Sequence, residues 1–195
     1  MMSCLVIVDV QMDFCMEGVL AVPHADEIVE PINALRREGN YTLIVLSRDW
    51  HPPRHCSFAS THGVPPFTTY IGEAGPDVYW PDHCVADTPG AEFHPLLYRE
   101  NDDIVISKGT NPAQDAYSCF CGTDLDKLLR GRGILECDFV GLALDYCVKQ
   151  SALDAQKLGY RARVLVPYTR AVDSAIEEDV LNELAATGVS VVRSN

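Results

Sequence analysis

Basic residues are scarce in this 195-residue sequence: 15 lysines and arginines stand against 28 aspartates and glutamates, a formal net charge of −13. A chain of this sign has no cationic footprint for nucleic acid or for an anionic membrane surface. Long hydrophobic runs are also missing. The apolar stretch at residues 5–8 breaks at Asp9 and has no basic flank ahead of it, so it is expected to be neither a signal peptide nor a membrane anchor. There is no CxxC pair, which removes the zinc-ribbon and thioredoxin-like readings. Eight cysteines are too few for a disulfide scaffold and are expected to be reduced thiols of a cytoplasmic protein. GxxxxGK[ST], GxGxxG and GxSxG are absent as well, so neither a nucleotide loop nor a serine-hydrolase elbow is expected. No repeat or low-complexity tract occurs. What is present is an ordinary apolar content, 47%, enough to bury the core of one domain spanning residues 1–195.

Short apolar runs rich in β-branched residues alternate with stretches of helical period. Residues 5–8 read as a strand buried on both faces, as in a parallel sheet. Ile28, Ile32 and Leu35 predict a helix over 25–37, and 42–46 reads as a second buried strand. From Pro52 to about Arg99 the period fails, yet aromatics recur there, including Phe58, Tyr79 and Trp80. A loop this long is expected to be an ordered functional excursion. Regularity resumes with strands at 103–107, 138–141, 162–166 and 189–192, separated by helices at 125–130, 148–158 and 175–186. The alternation predicts an α/β architecture: a doubly wound, mostly parallel six-stranded sheet with helices on both faces.

Ligands of such folds bind beyond the carboxyl ends of the strands. The first four strands end in Asp9, in Asp49 and His51, in Lys108, and in a turn that leads to Cys147. A cysteine where a strand passes into a helix is a candidate nucleophile, because helix-start N–H groups and the helix dipole favour its thiolate. A buried structural thiol is the alternative. Asp9 is placed to take the thiol proton, with Lys108 favouring the ionised forms of both; a structural ion pair is the alternative there. Asp49 and His51, two apart in extended chain, point the same way and can face one divalent metal. His55, His62, His83 and His94 are further ligand candidates, of which His83 is best directed by the proline-bounded turn Trp80-Pro81-Asp82-His83-Cys84.

Five stretches carry a resemblance: IVDVQMDF (7–14), SRDWHPPRHCSF (47–58), YWPDHCVADTPGAEFHP (79–95), ISKGT (106–110) and GLALDYCV (141–148). Together, and in this order over nearly the whole chain, they resemble nicotinamidases, metal-dependent members of the isochorismatase-like cysteine hydrolases. The resemblance implies a triad of Asp9, Lys108 and Cys147 and metal ligands Asp49, His51 and His83, with His55 a ligand in some members only. It implies an oxyanion hole of the Ala143 and Cys147 N–H groups, with a cis peptide before Ala143. Phe14, Trp80 and Tyr117 match positions lining the nicotinamide pocket. Tyr146 stands where some members have His, and Leu144 where Thr is common; both could tune the pocket. Zinc is the first expectation for the divalent metal, and manganese or iron fit the same ligands. The implied reaction is hydrolysis of nicotinamide to nicotinate and ammonia through a cysteine thioester, in NAD salvage, with pyrazinamide a second substrate. A small-molecule substrate is the only partner implied, and a homo-oligomer is left open. The rivals are a sister amidase for another small amide or carbamoyl compound and a non-enzymatic metal or thiol sensor; the latter leaves Asp9 and Lys108 unexplained.

Overall fold

Continuous apolar runs, buried on both faces, set the architecture. The computed structural model describes residues 2–72 and 75–194. In chain order its strands and α-helices are β1 (Ser3–Val8), α1 (Val29–Glu38), β2 (Leu43–Asp49), α2 (Ala59–His62), β3 (Thr69–Gly72), β4 (Gly75–Val78), β5 (Ile104–Lys108), α3 (Leu125–Gly131), β6 (Glu136–Leu142), α4 (Lys149–Lys157), β7 (Arg161–Arg170), α5 (Glu177–Ala186) and β8 (Ser190–Val192). Six of the strands form one parallel sheet in the order β5-β2-β1-β6-β7-β8. This is the doubly wound sheet that the alternation of strands and helices predicts.

Side chains of β1 divide between two cores with the period of two expected of a strand. Cys4, Val6 and Val8 face the core closed by α3, α4 and α5, through Leu125, Leu129, Ala152, Leu181 and Leu184. Leu5 and Ile7 face the other core, closed by Val29 and Ile32 of α1 and by the loops after β1 and β2. Each fully buried aliphatic side chain contributes about 1.5–3 kcal/mol, so both layers hold the sheet.

Three features differ from the sequence expectation. The helix predicted from residue 25 begins as a 3-10 turn, Ala25–Ile28, before α1. The fifth strand of the sheet runs on to Arg170, with a register shift in its pairing to β6 between Phe139 and Gly141. The excursion after Pro52 contains α2 and the antiparallel hairpin β3–β4, whose short strands include Gly72, Gly75 and Pro76 and so show no alternation. Elsewhere single bridges tie this excursion back to the strand ends, Gln11 with Phe93 and His51 with Val85, and a third joins Phe58 to Trp80 within it.

The chain reverses direction across the sheet at β1, which has β2 on one side and β6 on the other. Such a switch point leaves a crevice beyond the strand ends. Close approach at this crevice requires Gly141, which has φ +102° and whose added Cβ would meet the carbonyl oxygen of Val8. Gly141→Ala is expected to destabilise the fold by at least ~3 kcal/mol through backbone strain and overpacking. A thermal melt checks this, and an unchanged melting temperature would contradict it.

Candidate active site

Asp9 follows β1 with φ 49°, a left-handed conformation that a non-glycine residue holds only where its surroundings impose it. Its N–H donates to the Ser47 carbonyl at 3.2 Å, and the Ser47 hydroxyl donates to Asp9 Oδ1 at 2.6 Å. Lys108, the last residue of β5, is buried beside it. The Lys108 ammonium lies 2.9 Å from Asp9 Oδ2 and donates to Asp49 Oδ1 at 2.5 Å, to the Ala116 carbonyl at 3.2 Å and to Cys147 Sγ at 3.3 Å. Asp9 Oδ2 has no aligned hydrogen-bond donor among the described residues. That oxygen is paired by charge and still able to accept a proton.

Burial pushes the Asp9 carboxyl and the Cys147 thiol upward, and Lys108 opposes both shifts without cancelling them. A raised carboxyl is a stronger base toward a thiol. Burial pushes the Lys108 ammonium downward, but Asp49 and then Asp9 outweigh it and hold the group well above the usual lysine range. A permanent cation therefore stands beside a thiol and a strengthened base, the arrangement that produces thiolate on demand.

The helical segment opens earlier than the sequence period indicates. Leu144–Val148 forms a π turn in which the Val148 N–H donates to the Ala143 carbonyl at 3.1 Å, and α4 continues from it. Cys147 thus sits inside the first turn rather than at the first helical residue. The Leu142–Ala143 peptide is cis.

Asp49, His51 and His83 each bring one ligand atom into a cluster whose members lie within 4.8 Å of one another. His51 Nδ1 is 3.0 Å from the Gly109 carbonyl and His83 Nδ1 is 2.7 Å from the Pro81 carbonyl. A carbonyl only accepts, so both Nδ1 atoms carry the proton and both Nε2 lone pairs are turned inward, 3.6 and 3.9 Å from Asp49 Oδ2. Burial would raise the Asp49 carboxyl, but Lys108 and His51 hold it well below the carboxylate range. Burial lowers His83 to about 4, so it is neutral at pH 7. Burial acts the same way on His51, where Asp49 outweighs it and raises the group. A buried Asp-His-His set with inward lone pairs fits a divalent transition metal that keeps open positions.

His55 stands outside this cluster. Its Nε2–H donates to the Gln114 carbonyl at 3.1 Å, and its Nδ1 accepts from the Ser57 hydroxyl at 2.8 Å and from the Ser57 N–H at 3.3 Å. Both ring nitrogens are committed, and the ring packs 4.2 Å from that of His51. His62 stacks on Tyr79, and His94 pairs with Asp26 at 3.2 Å. Phe58, fully buried, places its ring 5.5 Å from the rings of both His51 and His83 and fixes them from behind.

Cys147, Ala143 and the three cluster residues open onto one pocket, whose aromatic wall is Phe14, Trp80, Tyr117 and Tyr146. The Trp80 indole N–H donates to the Tyr117 hydroxyl at 2.9 Å, and the Trp80 ring meets Tyr146 edge-on at 5.2 Å. Asp9 and Lys108 do not line this pocket; both lie against Cys147. Sequence reasoning missed Ser47, Gln11 and Asp115, the last of which lines the pocket from a loop without period. Gln11 and Ser47 carry a usable signal, since each is a polar residue beside an apolar strand run.

Over residues 3–195 the chain matches the isochorismatase domain family, and it belongs to that family. It is 41% identical over 197 residues to the nicotinamidase of Escherichia coli, covering 96% of this chain and 92% of that protein. It is 38% identical over 202 residues to the nicotinamidase/pyrazinamidase of Mycobacterium tuberculosis, with 100% of each chain covered. The solved pyrazinamidase of Pyrococcus horikoshii in complex with zinc is 39% identical and superposes with a TM-score of 0.83 over 98% of this chain and 99% of that one.

Proposed function

We propose that the protein is a metal-dependent nicotinamidase that also accepts pyrazinamide. The observation that carries this reading is the meeting of Asp9, Lys108 and Cys147 beside the Asp49–His51–His83 cluster, in a pocket walled by aromatic rings. Relatives 41% and 38% identical over nearly their whole length are a nicotinamidase and a nicotinamidase/pyrazinamidase. Asp49, His51 and His83 would hold one divalent ion, zinc first, as the donor set and the zinc-bound relative support. Bound there, the ion supplies a Lewis-acid contact for the ring nitrogen of a pyridine carboxamide and so orients the ring.

The protein's own groups carry the chemistry. Asp9 accepts the Cys147 proton, Lys108 stabilises the thiolate, and the thiolate attacks the carboxamide carbon. The Ala143 and Cys147 N–H groups are our candidates for holding the oxyanion, a contact typically worth ~3 kcal/mol per donor. Asp9 returns the proton to departing ammonia, leaving a thioester that water opens to nicotinate. Phe14, Trp80, Tyr117 and Tyr146 position the ring, while His55, both of whose ring nitrogens are hydrogen-bonded elsewhere, packs against His51. A cytoplasmic location fits the eight unpaired cysteines, and no helix among the described residues is long and apolar enough to cross a membrane.

Ammonia release from nicotinamide tests this directly. The purified protein is expected to release ammonia, to stop after chelator treatment, and to recover with added zinc; a zinc-replete protein that releases none would overturn the assignment. Gly109→Ala probes the ligand geometry separately, because a Cβ at Gly109, φ +63°, would meet the His51 ring. It is expected to weaken zinc binding by ~10–100-fold, read by chelator competition.

A further inference from the structure

The stretch Asp9–Phe14 contributes two residues, Gln11 and Asp13, that the proposed chemistry leaves unused. Strand β1 makes its last bond to β2 at Ser47, then turns away at Asp9. The backbone of Asp49 is therefore paired on one side only, with Lys108 of β5. The fully buried side chain of Gln11 takes the place of the missing strand. Its Oε1 accepts the Asp49 N–H at 2.8 Å, and its Nε2 donates to the Asp49 carbonyl at 2.8 Å and to the Ala91 carbonyl at 2.8 Å. Asp13 does the equivalent for the other ligand segment: its Oδ2 accepts the N–H of Cys84, the residue after His83, at 2.7 Å. Cys84 in turn holds His51, whose N–H donates to the Cys84 carbonyl at 3.0 Å. Gly90 leaves the space the Asp13 carboxylate occupies, since a Cβ there would collide with that carboxylate.

We propose that Gln11 and Asp13 are positioning residues for the metal ligands, Gln11 fixing Asp49 and Asp13 fixing the segment that carries His83. One short loop then serves two centres: Asp9 serves the thiol of Cys147, and Gln11 and Asp13 serve the metal site. This rests on the metal reading of the Asp49–His51–His83 cluster and adds to it how the cluster is held in register. The brace acts on backbone, so its loss displaces ligands without removing a donor atom.

The test measures zinc affinity by competition with a chromogenic chelator, alongside the rate of Cys147 alkylation by iodoacetamide in the zinc-free proteins. Asp13→Ala and Gly90→Ala are each expected to weaken zinc binding by ~10–100-fold, the range for groups that orient metal ligands. Asp13→Asn keeps an oxygen that accepts the Cys84 N–H and is expected to bind zinc close to the wild-type protein. Cys147 alkylation should stay at the wild-type rate in all three, which general loosening of the site would not allow. Gln11→Ala should match Asp13→Ala; if it does not fold, the Asp13 and Gly90 variants decide the matter. Wild-type affinity in Asp13→Ala, or an alkylation rate that changes in step with zinc affinity, overturns the proposal. A wild-type protein that binds no zinc overturns the metal reading itself.

Discussion

Replacing Cys147 with serine is expected to lower ammonia release from nicotinamide by at least ~10³-fold, the scale on which removing a nucleophile acts, while zinc content stays at the wild-type level. The argument is one of matched acidity. Burial already raises the Cys147 thiol, so the proposed mechanism needs both a raised Asp9 and Lys108, 3.3 Å away, to ionise it. A serine hydroxyl is a far weaker acid than a thiol, so the same base and the same cation no longer produce the nucleophile. The metal ligands do not depend on Cys147, because the Nδ1 atoms of His51 and His83 are anchored by Gly109 and Pro81. Activity and metal content should therefore separate in this variant. Zinc loss alongside activity would mean that the two centres are one structural unit. Release at more than about a tenth of the wild-type rate, far above what the loss of a nucleophile leaves, would move the nucleophile to water and end the thioester mechanism.

Much of the candidate site was legible because its residues sit where strands end. A buried apolar run that stops at a charged residue identifies both the strand and its carboxyl end, and Asp9, Asp49 and Lys108 are all of this kind. His83 was legible for a different reason, the prolines and aromatics around it, and Cys147 through its place between a strand and a helical period. What stayed hidden depends on contacts between segments far apart in the chain. The pairing of Gln11 with Asp49 spans 38 residues and replaces backbone by side chain, which no local period records. The commitment of both His55 nitrogens to Gln114 and Ser57 is equally invisible in sequence, where a histidine near Asp49 and His51 reads as one more ligand candidate. The β3–β4 hairpin escaped because four-residue strands containing glycine and proline lack the alternation that marks a strand. The π turn escaped because a helical period does not distinguish its first turn from an α-helical one.

Lys108→Met is expected to destabilise the zinc-free protein by about 3–5 kcal/mol, the usual result of removing one partner from a buried ion pair, or roughly 10 °C in melting temperature for a chain of this size. The loss should shrink as the pH falls. In the wild-type protein Lys108 serves two buried carboxylates, Asp9 at 2.9 Å and Asp49 at 2.5 Å. It holds Asp49 well below the carboxylate range and restrains the upward shift that burial imposes on Asp9. Methionine keeps the packing and removes the cation, so both carboxyls move upward. A carboxyl whose folded pKa exceeds its unfolded value of ~3.9 binds more protons in the folded state, so stability rises as the pH drops from above the folded pKa toward the unfolded one. The wild-type Asp49 has the opposite sign: its contribution is complete above ~3.9 and fades only as the pH falls toward its folded value. Melting temperatures of both proteins between pH 8 and about pH 5, still above the unfolded carboxyl pKa, should therefore converge as the solution becomes more acidic. A gap that stays constant over this range would mean that Lys108 stabilises by packing and not by charge. Its role beside Cys147 would then have to be found in geometry alone.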